Sequence, residues 1–336
     1  MKVFLTGGTG YLGRRLAEGL RREGHELVCL SRSLERARGL EDMGAQVVRG
    51  DVTCFDEAAV DLSEFDAVVH SAAMVKTKAK DPRDFDRVNV DGAAAVARAA
   101  MEAGVPKFLY TSSFMALGAS GDDGTPLDES APRDPQHVHN DYERTKYLGL
   151  REIRRLRDEG LPAVILCPCV IFGPGAVTSG NLVGGMIADL LRGRLPGILG
   201  DGKQIWTYSY IGDVVEGHLL ALERAEAGSE YILGGESLSM EEFVRQAAEL
   251  AGVRAPERHI PFSLAKVAAL AEEVRCAFTG REPGLTRGVV EIYRHNWHYT
   301  SRRAEQELGY KITPFRSALA ETVSWVKGAI EEGKFD

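Results

Sequence analysis

The chain has 336 residues, 44% of them hydrophobic, and a formal net charge of −8. This length and composition predict one large domain or two interlocked domains with a sizeable core. The negative charge argues against nucleic acid as a partner, and no apolar run approaches the roughly 20 residues that cross a bilayer. Because no cleavable signal precedes the first predicted strand, we expect a cytoplasmic protein with no membrane partner.

The five cysteines follow no spacing typical of a disulfide framework. Cys29 and Cys167 lie in strand-like apolar runs, so we expect buried free thiols in a reducing compartment. Cys167 and Cys169 flank a proline, but a metal or redox pair of this kind needs a second cluster. His137 and His139 also lack partners at metal-ligand spacing, so no metal site is predicted.

The first thirteen residues form the most informative stretch of the chain. The apolar run 3–5 ends in a glycine cluster and opens into a helical pattern at residues 11–17. Glycines at this spacing permit a tight turn, close approach of a pyrophosphate and close helix–strand packing, and the helix N-terminus favours phosphate. An ordinary strand–turn–helix is the alternative, but the context favours dinucleotide binding. The residues predicted to line the cofactor here are Gly7, Thr9, Gly10, Tyr11, Leu12 and Gly13.

The second predicted strand, residues 27–30, ends at Ser31-Arg32-Ser33. A site that prefers NAD usually places an acid here to accept from the ribose 2′-hydroxyl, and Glu35 comes only after the turn. Arg32, with Arg36 nearby, instead suits a 2′-phosphate, because guanidinium matches phosphate oxygens bidentately. The alternative is a solvated surface arginine. We therefore expect NADP as the cofactor, with NAD as the second choice.

Further strands are predicted at residues 46–52, 67–70 and 107–113, with an alanine-rich helix at 92–104. Alternating strands and helices of this length predict right-handed βαβ units, hence an α/β fold with a Rossmann-type, doubly wound parallel sheet. His70, at a strand end, fits a packed or ribose-proximal histidine better than a base. Residues 118–140 form a polar loop bordering the site.

Tyr142 and Lys146 are four residues apart, so they share one helix face. An ammonium group beside a phenol favours the phenolate and would lower the tyrosine pKa from about 10 toward neutrality. The pair therefore predicts a tyrosine that acts as a general acid or base. A helix-surface pair is the alternative, and the upstream glycine turn counts against it.

Together, the glycine turn, Asp51-Val52, Ser112-Ser113 and Tyr142-x-x-x-Lys146 resemble the extended short-chain dehydrogenase/reductase family. The likeness spans nearly the whole chain and continues through residues 166–175, 200–202, 210–214 and 304–310. It implies an NAD(P)-dependent oxidoreductase that transfers hydride between the nicotinamide and a substrate carbon.

The resemblance also implies roles for single residues. Tyr142 is the expected acid/base, Lys146 tunes it and holds the nicotinamide ribose, and Ser113 hydrogen-bonds the reacting oxygen. Asp51 and Val52 border the adenine. The remaining residues expected at the site are Ala72 and Pro168, which line the cofactor, and Asn89, which supports a proton relay.

The later residues most resemble the dihydroflavonol-4-reductase-like subgroup. Sugar-nucleotide enzymes of the family supply arginines for a diphosphate, yet Trp206 stands at one such place and the run from Arg294 to His298 at the other. Gly180-Asn181-Leu182 does resemble those enzymes. We therefore expect NADPH-dependent reduction of a small-molecule aldehyde or ketone, with a nucleotide-sugar epimerase or dehydratase as the alternative. A cofactor-sensing protein is a third reading, which the intact Ser113, Tyr142 and Lys146 disfavour.

Two lobes are predicted. Residues 1–175 and 200–235 build the dinucleotide-binding domain, and 176–199 and 236–336 build a smaller, mostly helical substrate lobe. Apolar residues in the segment 258–299 could wall a carbonyl pocket or simply form core, namely Phe262, Leu264, Leu270, Phe278, Tyr293 and Trp297. An apolar stripe within residues 144–158 favours a homodimer through helix packing on the 93–103 helix of a second subunit, with burial inside one chain as the alternative.

Overall fold

The computed structural model describes residues 1–58, 60–76, 79, 81–131, 138–178, 180–279 and 283–335, with the side chain of Glu57 left out. Its strands are β1 (Lys2–Thr6), β2 (Glu26–Ser31), β3 (Gln46–Arg49), β4 (Ala67–His70), β5 (Phe108–Thr111), β6 (Ala163–Pro168), β7 (Val170–Phe172), β8 (Ile198–Leu199), β9 (Ile205–Tyr210), β10 (Glu230–Leu233), β11 (Ser237–Ser239) and β12 (His259–Ile260).

The helices are α1 (Tyr11–Arg22), α2 (Leu34–Glu41), α3 (Arg83–Asp86), α4 (Ala93–Glu102), α5 (Asp141–Asp158), α6 (Leu182–Leu191), α7 (Ile211–Arg224), α8 (Met240–Ala251), α9 (Phe262–Thr279), α10 (Arg287–Ile292), α11 (Arg302–Leu308) and α12 (Phe315–Glu331). A π-helical turn, Arg87–Gly92, joins α3 to α4.

Seven parallel strands form the central sheet in the order β10-β6-β5-β4-β1-β2-β3. The strands at its centre are apolar runs with both faces covered: Val3, Phe4 and Leu5 of β1 are fully buried, as parallel sheets require. Strand order reverses between β1 and β4, and the crevice at such a reversal is where open α/β sheets bind ligands. The Rossmann-type fold predicted from the sequence is confirmed.

Helices cover both faces of this sheet. On one face α1 packs on α7, and on the other α4 packs on α5. In α5, Leu150, Ile153 and Leu156 of the predicted stripe are buried within this chain. These three residues agree with the alternative given above, in which the stripe is buried within one chain. The homodimer stays a prediction.

The C-terminal part is mostly helical, as predicted. A small sheet orders β11-β9-β7, and β12 pairs with β8. There α12 packs on α6 and α8, whereas α11 returns to α7 and β10 of the central sheet. The domain boundaries given above stay a prediction.

The loop predicted at 118–140 lies partly along the C-terminal part. Isolated bridges pair Ser120 with Asn296 and Leu127 with Tyr299. Its residues 132–137, which include His137, lie outside the described residues. No helix among the described residues is long and apolar enough to cross a membrane.

Candidate active site

Six of the sequence-predicted positions lie at one edge of the sheet. The glycine turn follows β1, Arg32 follows β2, Asp51 follows β3, Ala72 follows β4 and Ser113 follows β5. Pro168 is the last residue of β6. Because neighbouring parallel strands end at the same edge, residues far apart in sequence meet along a single crevice.

The glycine turn has the geometry of a phosphate cradle. Gly7 adopts a φ of 79°, a conformation that L side chains rarely adopt. A Cβ on Gly13 would lie 2.0 Å from the carbonyl oxygen of Gly7, so α1 can start this close to the strand only with glycine there. The N-cap residue, Gly10, provides no side-chain hydrogen bond to the helix. The first amide groups of α1 are therefore available to an anion.

Tyr11 has a different role from the rest of the turn. Its ring is 5% exposed, and its hydroxyl donates to the carbonyl oxygen of Gly173 at 2.7 Å. The side chain therefore ties the start of α1 to the end of β7, which leaves only its backbone facing the turn.

A charged pair lies at the end of the crevice formed by the carboxyl ends of β2 and β3. The Arg32 side chain is 71% exposed, and its Nη1 lies 3.8 Å from Oδ2 of Asp51. The other carboxylate oxygen of Asp51 accepts from the backbone N–H of Thr53 at 3.0 Å. Val52 is buried beside it. An exposed guanidinium thus lies beside a hydrogen-bonded carboxylate and an apolar side chain where β2 and β3 end.

Ser113, Tyr142 and Lys146 converge beside β5. Ser113 caps the short helical turn Phe114–Ala116 by accepting from the N–H of Met115 at 3.3 Å, and its hydroxyl lies near enough to the Tyr142 side chain to lower the pKa of that phenol. Lys146 is 3% exposed and donates from Nζ to the carbonyl oxygen of Thr111 at 2.9 Å. The three side chains expected from the resemblance therefore form one cluster.

The ionisation of this cluster differs from the sequence-based expectation. Burial raises the pKa of Tyr142 to about 12, although the nearby Ser113 hydroxyl acts in the opposite direction. Burial also lowers the pKa of Lys146 to about 8. The predicted tyrosine pKa near neutrality is wrong for this structure, because the Lys146 ammonium donates its hydrogen bond to a backbone carbonyl and the phenol is desolvated.

Thr111, whose carbonyl accepts from Lys146, is bonded through its hydroxyl to a histidine that sequence reasoning did not place at the site. Nδ1 of His218 donates to the carbonyl oxygen of Val214 at 2.7 Å, so Nε2 accepts from the hydroxyl of Thr111 at 3.1 Å. Burial lowers the pKa of His218 to about 4. His218 stands in a stretch that matches the family pattern, but no local spacing indicates its contact with β5.

Asn89 connects the cofactor side of the crevice to α5. Its Oδ1 accepts from the N–H of Met74 at 2.7 Å, and its Nδ2 donates to Oγ1 of Thr145 at 3.0 Å. It is 2% exposed. Asn89 therefore fixes two backbone segments, and its role in a proton relay stays a prediction.

His70 is a packed residue in this structure. Its Nδ1 lies 3.0 Å from Oγ1 of Thr6, and its ring stacks near Phe108 and Tyr110. Burial, aided by the Lys146 ammonium, lowers the pKa of His70 to about 3. A neutral ring with that pKa is a poor general base, as expected from the sequence.

Aromatic residues from the C-terminal part pack against this region. Phe114, next to Ser113, lies edge-on to Trp297 with ring centroids 5.4 Å apart. Trp206 packs on Tyr293 at 4.8 Å and donates from Nε1 to the carbonyl oxygen of His295 at 3.2 Å. The position where sugar-nucleotide enzymes carry an arginine is thus filled by a buried indole.

Three of the apolar residues of the segment 258–299 are not part of the core. Leu264, Leu270 and Phe278 are 50%, 44% and 88% exposed on the outer side of α9. The core alternative is wrong for them, because an apolar pattern does not indicate which helix face is covered, and a pocket role stays a prediction.

His139, Glu291 and His295 lie close enough together to suggest a metal site. The two imidazole rings, however, stack face to face with centroids 4.3 Å apart and an interplanar angle of 16°. A metal bound in the plane of one ring lies outside the plane of the other, and Glu291 already pairs with Lys266 at 2.5 Å. The cluster is best described as a packing contact between the start of α5 and α10.

A nicotinamide dinucleotide fits the crevice on geometric grounds. The glycine turn provides backbone room and unused amide groups for the pyrophosphate, and Val52 provides an apolar surface at the adenine end. Lys146 and Tyr142 lie at the opposite end, where the nicotinamide ribose would come. The donor set thus matches a dinucleotide along its whole length.

Comparisons with known proteins agree with this assignment. The model of the NAD dependent epimerase/dehydratase family matches residues 3–234. A putative dihydroflavonol 4-reductase of Synechocystis is 30% identical over 96% of this chain and 93% of its own. A 4-hydroxy-2-methyl-3-oxo-4-farnesyl-3,4-dihydroquinoline-1-oxide ketoreductase of Stigmatella aurantiaca is 30% identical over 92% of each chain. The crystal structure of gox2253 superimposes with a TM-score of 0.81 at 31% identity, covering 100% of this chain and 99% of that one.

The family match covers well over half of the chain and includes every strand of the central sheet. The protein therefore belongs to the NAD dependent epimerase/dehydratase family, within the extended short-chain dehydrogenases/reductases, and is an enzyme dependent on a nicotinamide cofactor.

Proposed function

We propose that the protein reduces an aldehyde or ketone with NADPH, and that Tyr142 protonates the carbonyl oxygen. The observation that carries this proposal is the convergence of Ser113, Tyr142 and Lys146 at the carboxyl edge of β5, where burial raises the pKa of the Tyr142 phenol. With its pKa raised to about 12, the phenol keeps its proton at neutral pH. Reduction of a carbonyl needs a proton donor, whereas oxidation of an alcohol needs the phenolate.

Each residue of the cluster has a distinct task in this scheme. The cofactor, when bound, supplies the hydride. Ser113 orients the carbonyl oxygen toward Tyr142, and Tyr142 donates its proton to that oxygen. Lys146, held by the Thr111 carbonyl, places a positive charge on the same helix face and stabilises the phenolate that forms.

The choice of NADPH is supported by the end of β2. In the segment Ser31-Arg32-Ser33 the charged residue is an arginine, and its guanidinium is exposed toward the crevice edge. A carboxylate at this place would repel a 2′-phosphate, whereas guanidinium donates to it bidentately. Arg36, on the first turn of α2, is also exposed and follows Arg32 by four residues.

The substrate in this proposal is apolar. The aromatic rings of Trp206 and Tyr293 occupy the place where an arginine would bind a diphosphate. Each charged hydrogen bond from such an arginine would contribute about 1.5–3 kcal/mol to diphosphate binding. The relative from Stigmatella aurantiaca is named for reduction of a farnesyl-bearing ketone. We infer a carbonyl compound with an apolar body for this chain as well.

One observation favours a nucleotide-sugar epimerase as the second candidate. Asn181 caps α6 by accepting from Gly184 at 3.1 Å, while its buried Nδ2 has no hydrogen-bond partner among the described residues. An unused buried donor costs about 1–3 kcal/mol, and a substrate oxygen could accept from it.

A cofactor assay separates the two candidates. Purified protein is offered NADPH with a panel of apolar ketones, apolar aldehydes and sugar nucleotides. The reductase oxidises NADPH in proportion to the substrate added, whereas an epimerase shows no net cofactor turnover. A Tyr142→Phe variant should lose about 100-fold or more in kcat while it still binds NADPH. Full activity in that variant would remove Tyr142 from the mechanism.

A further inference from the structure

Residues 113–118 form a short turn that a single side chain from the C-terminal part closes at both ends. We call these residues the serine turn. Ser113 is its N-cap, and Gly118, with a φ of 94°, is its last residue. The hydroxyl of Tyr299 donates to the carbonyl oxygen of Gly118 and lies 3.1 Å from the carbonyl oxygen of Phe114. One phenol therefore joins the beginning and the end of the turn.

The residue directly after the serine is also fixed by its ring. Phe114 lies edge-on to Trp297 and to Tyr299, with ring centroids 5.4 and 5.8 Å apart. Tyr299 is only 3% exposed, so its hydroxyl bonds to the turn in a desolvated place, where an unmade hydrogen bond is costly. A phenylalanine would keep the ring contacts at this position but would lose the bonds to the turn.

Tyr299 itself stands on backbone that the small sheet holds in place. It belongs to the segment 296–300, and its N–H donates to Oγ1 of Thr207 in β9 at 2.9 Å. Two residues earlier, Trp297 donates to the carbonyl oxygen of Ile205 at 2.8 Å and accepts from the N–H of Thr207 at 3.0 Å. Strand β9 pairs in turn with β7 and β11. The phenol is therefore placed by β9.

The opposite edge of the same segment binds the loop that follows the serine turn. The N–H of Ser120 donates to the carbonyl oxygen of Asn296 at 2.8 Å, and the N–H of Leu127 donates to that of His298 at 2.9 Å. Thr300 donates back to the carbonyl oxygen of Leu127 at 2.9 Å. Hydrogen bonds thus run from β9 through the segment 296–300 to the loop, and they bring the C-terminal part to the carboxyl edge of β5.

We propose that Tyr299 is a positioning residue for Ser113. Because its hydroxyl holds both ends of the serine turn, it sets the direction in which the serine hydroxyl points. Oγ of Ser113 accepts from the N–H of Met115 at 3.3 Å, an amide inside the same turn. A shift of the turn therefore moves the serine hydroxyl with it. This inference rests on the role given to Ser113 in the proposed function.

The serine hydroxyl has a narrow positional tolerance in that role. It lies beside Tyr142, and both hydroxyls have to meet the same carbonyl oxygen. A misplacement of about 1 Å can cost about 100-fold in rate. Without the Tyr299 hydroxyl the turn keeps its cap and its ring contacts, so we expect a smaller loss of about tenfold in kcat.

A double-mutant cycle tests this positioning role. The constants kcat and KM are measured for the wild type, Tyr299→Phe, Ser113→Ala and the double variant, with the best carbonyl substrate of the panel. Tyr299→Phe should lower kcat about tenfold and Ser113→Ala about 100-fold or more, while the Kd for NADPH stays unchanged in each. Since the tyrosine then has no serine hydroxyl to position, the double variant should lie less than about twofold below Ser113→Ala.

Tyr310→Phe is the matched control. Tyr310 is also 3% exposed, and its hydroxyl also donates to a backbone carbonyl, that of Gly234, at 3.0 Å. It packs, however, with residues of α1 and α7 on the other face of the central sheet. This variant should lose thermal stability much as Tyr299→Phe does, yet keep kcat within about twofold of the wild type. Equal losses of kcat in the two single variants would overturn the proposal, as would a Tyr299→Phe effect that is the same with and without the Ser113 hydroxyl.

Hydrogen exchange tests the hold on the turn independently of any reaction. The amides of Met115 and Leu117 are hydrogen-bonded within the serine turn. They should exchange about tenfold faster in Tyr299→Phe and at the wild-type rate in Tyr310→Phe. Unchanged exchange in Tyr299→Phe would overturn the proposal. A wild type that oxidises no NADPH with any member of the panel would overturn the proposed function instead, and the exchange rates would then decide whether Tyr299 holds the turn.

Discussion

The hydroxyl of Thr111 donates to Nε2 of His218 at 3.1 Å, and this bond links the Lys146 ammonium to helix α7. The other ring nitrogen, Nδ1, donates to the carbonyl oxygen of Val214 at 2.7 Å, and this bond fixes the tautomer of the neutral imidazole. The backbone carbonyl of Thr111 accepts from Lys146 at 2.9 Å. His218 is therefore a positioning residue: it is bonded to Thr111, the residue whose carbonyl holds the ammonium.

His218 should make the stability of the protein depend on pH. Its pKa is about 4 in the folded protein and about 6.5 in an unfolded chain, so the unfolded state takes up a proton first as pH falls. The free energy of unfolding is therefore highest above pH 6.5 and declines from there toward pH 4. Between pH 7 and pH 5 this residue accounts for a loss of about 2 kcal/mol.

Urea unfolding of the wild type and of His218→Gln at the two pH values measures this loss. In the variant the decline should be smaller by that amount, while His70, whose pKa is lowered to about 3, still contributes in both proteins. An identical decline in the two proteins would show that His218 ionises normally in the fold.

The residues that line the crevice could be predicted from the sequence, but the contacts that hold those residues in place could not. The glycine turn, Arg32 and the Tyr142–Lys146 pair are indicated by short spacings within single elements. The Thr111–His218 bond joins residues 107 positions apart, on β5 and α7. Only the packing of α7 against the central sheet brings these two residues together, so no local sequence pattern predicts their contact.

Two sequence-based expectations failed for related physical reasons. A tyrosine four residues from a lysine suggests a lowered phenol pKa, yet burial of Tyr142 outweighs that proximity. The apolar pattern around Leu264 and Phe278 suggests core packing as one alternative, yet both side chains are exposed on α9. The spacing of residues in sequence indicates which side chains share a helix face. Whether that face is buried depends on the rest of the chain, and burial decides both the pKa of Tyr142 and the exposure of the α9 residues.

NADPH binding should weaken as pH rises above 8. Lys146 has its pKa lowered to about 8 by burial, so its charged form, the better donor to ribose hydroxyls, declines above that pH. Fluorescence titration should show a Kd roughly tenfold higher at pH 9.5 than at pH 7, since the charged form becomes a minor species. Lys146→Met should bind more weakly at pH 7 and show no such rise. A wild-type Kd that is constant over this range would contradict a Lys146 that titrates there.

Gly13→Ala should damage the turn itself. The added Cβ would lie 2.0 Å from the Gly7 carbonyl oxygen, and a backbone atom cannot move aside as a side chain can. We expect a loss of about 1–3 kcal/mol in the free energy of unfolding, together with weaker NADPH binding because the cradle opens. The matched control is Gly328→Ala, which places its Cβ in open space on α12 and should gain about 0.5–1 kcal/mol. Equal behaviour of the two variants would show that the turn tolerates a side chain.

Arg32→Asp should reverse the cofactor preference. The change removes a donor that matches a 2′-phosphate and adds a carboxylate that can accept from a 2′-hydroxyl. Since a charged hydrogen bond is worth about 1.5–3 kcal/mol, kcat/KM with NADPH should fall about 10- to 100-fold, while that with NADH stays equal or rises. Arg38→Asp makes the same charge change on the exposed last turn of α2, away from the end of β2, and should leave the ratio of the two cofactors unaltered. If both variants shift the ratio equally, general electrostatics rather than a direct contact with the 2′-phosphate sets the preference; if neither does, Arg32 does not face the ribose.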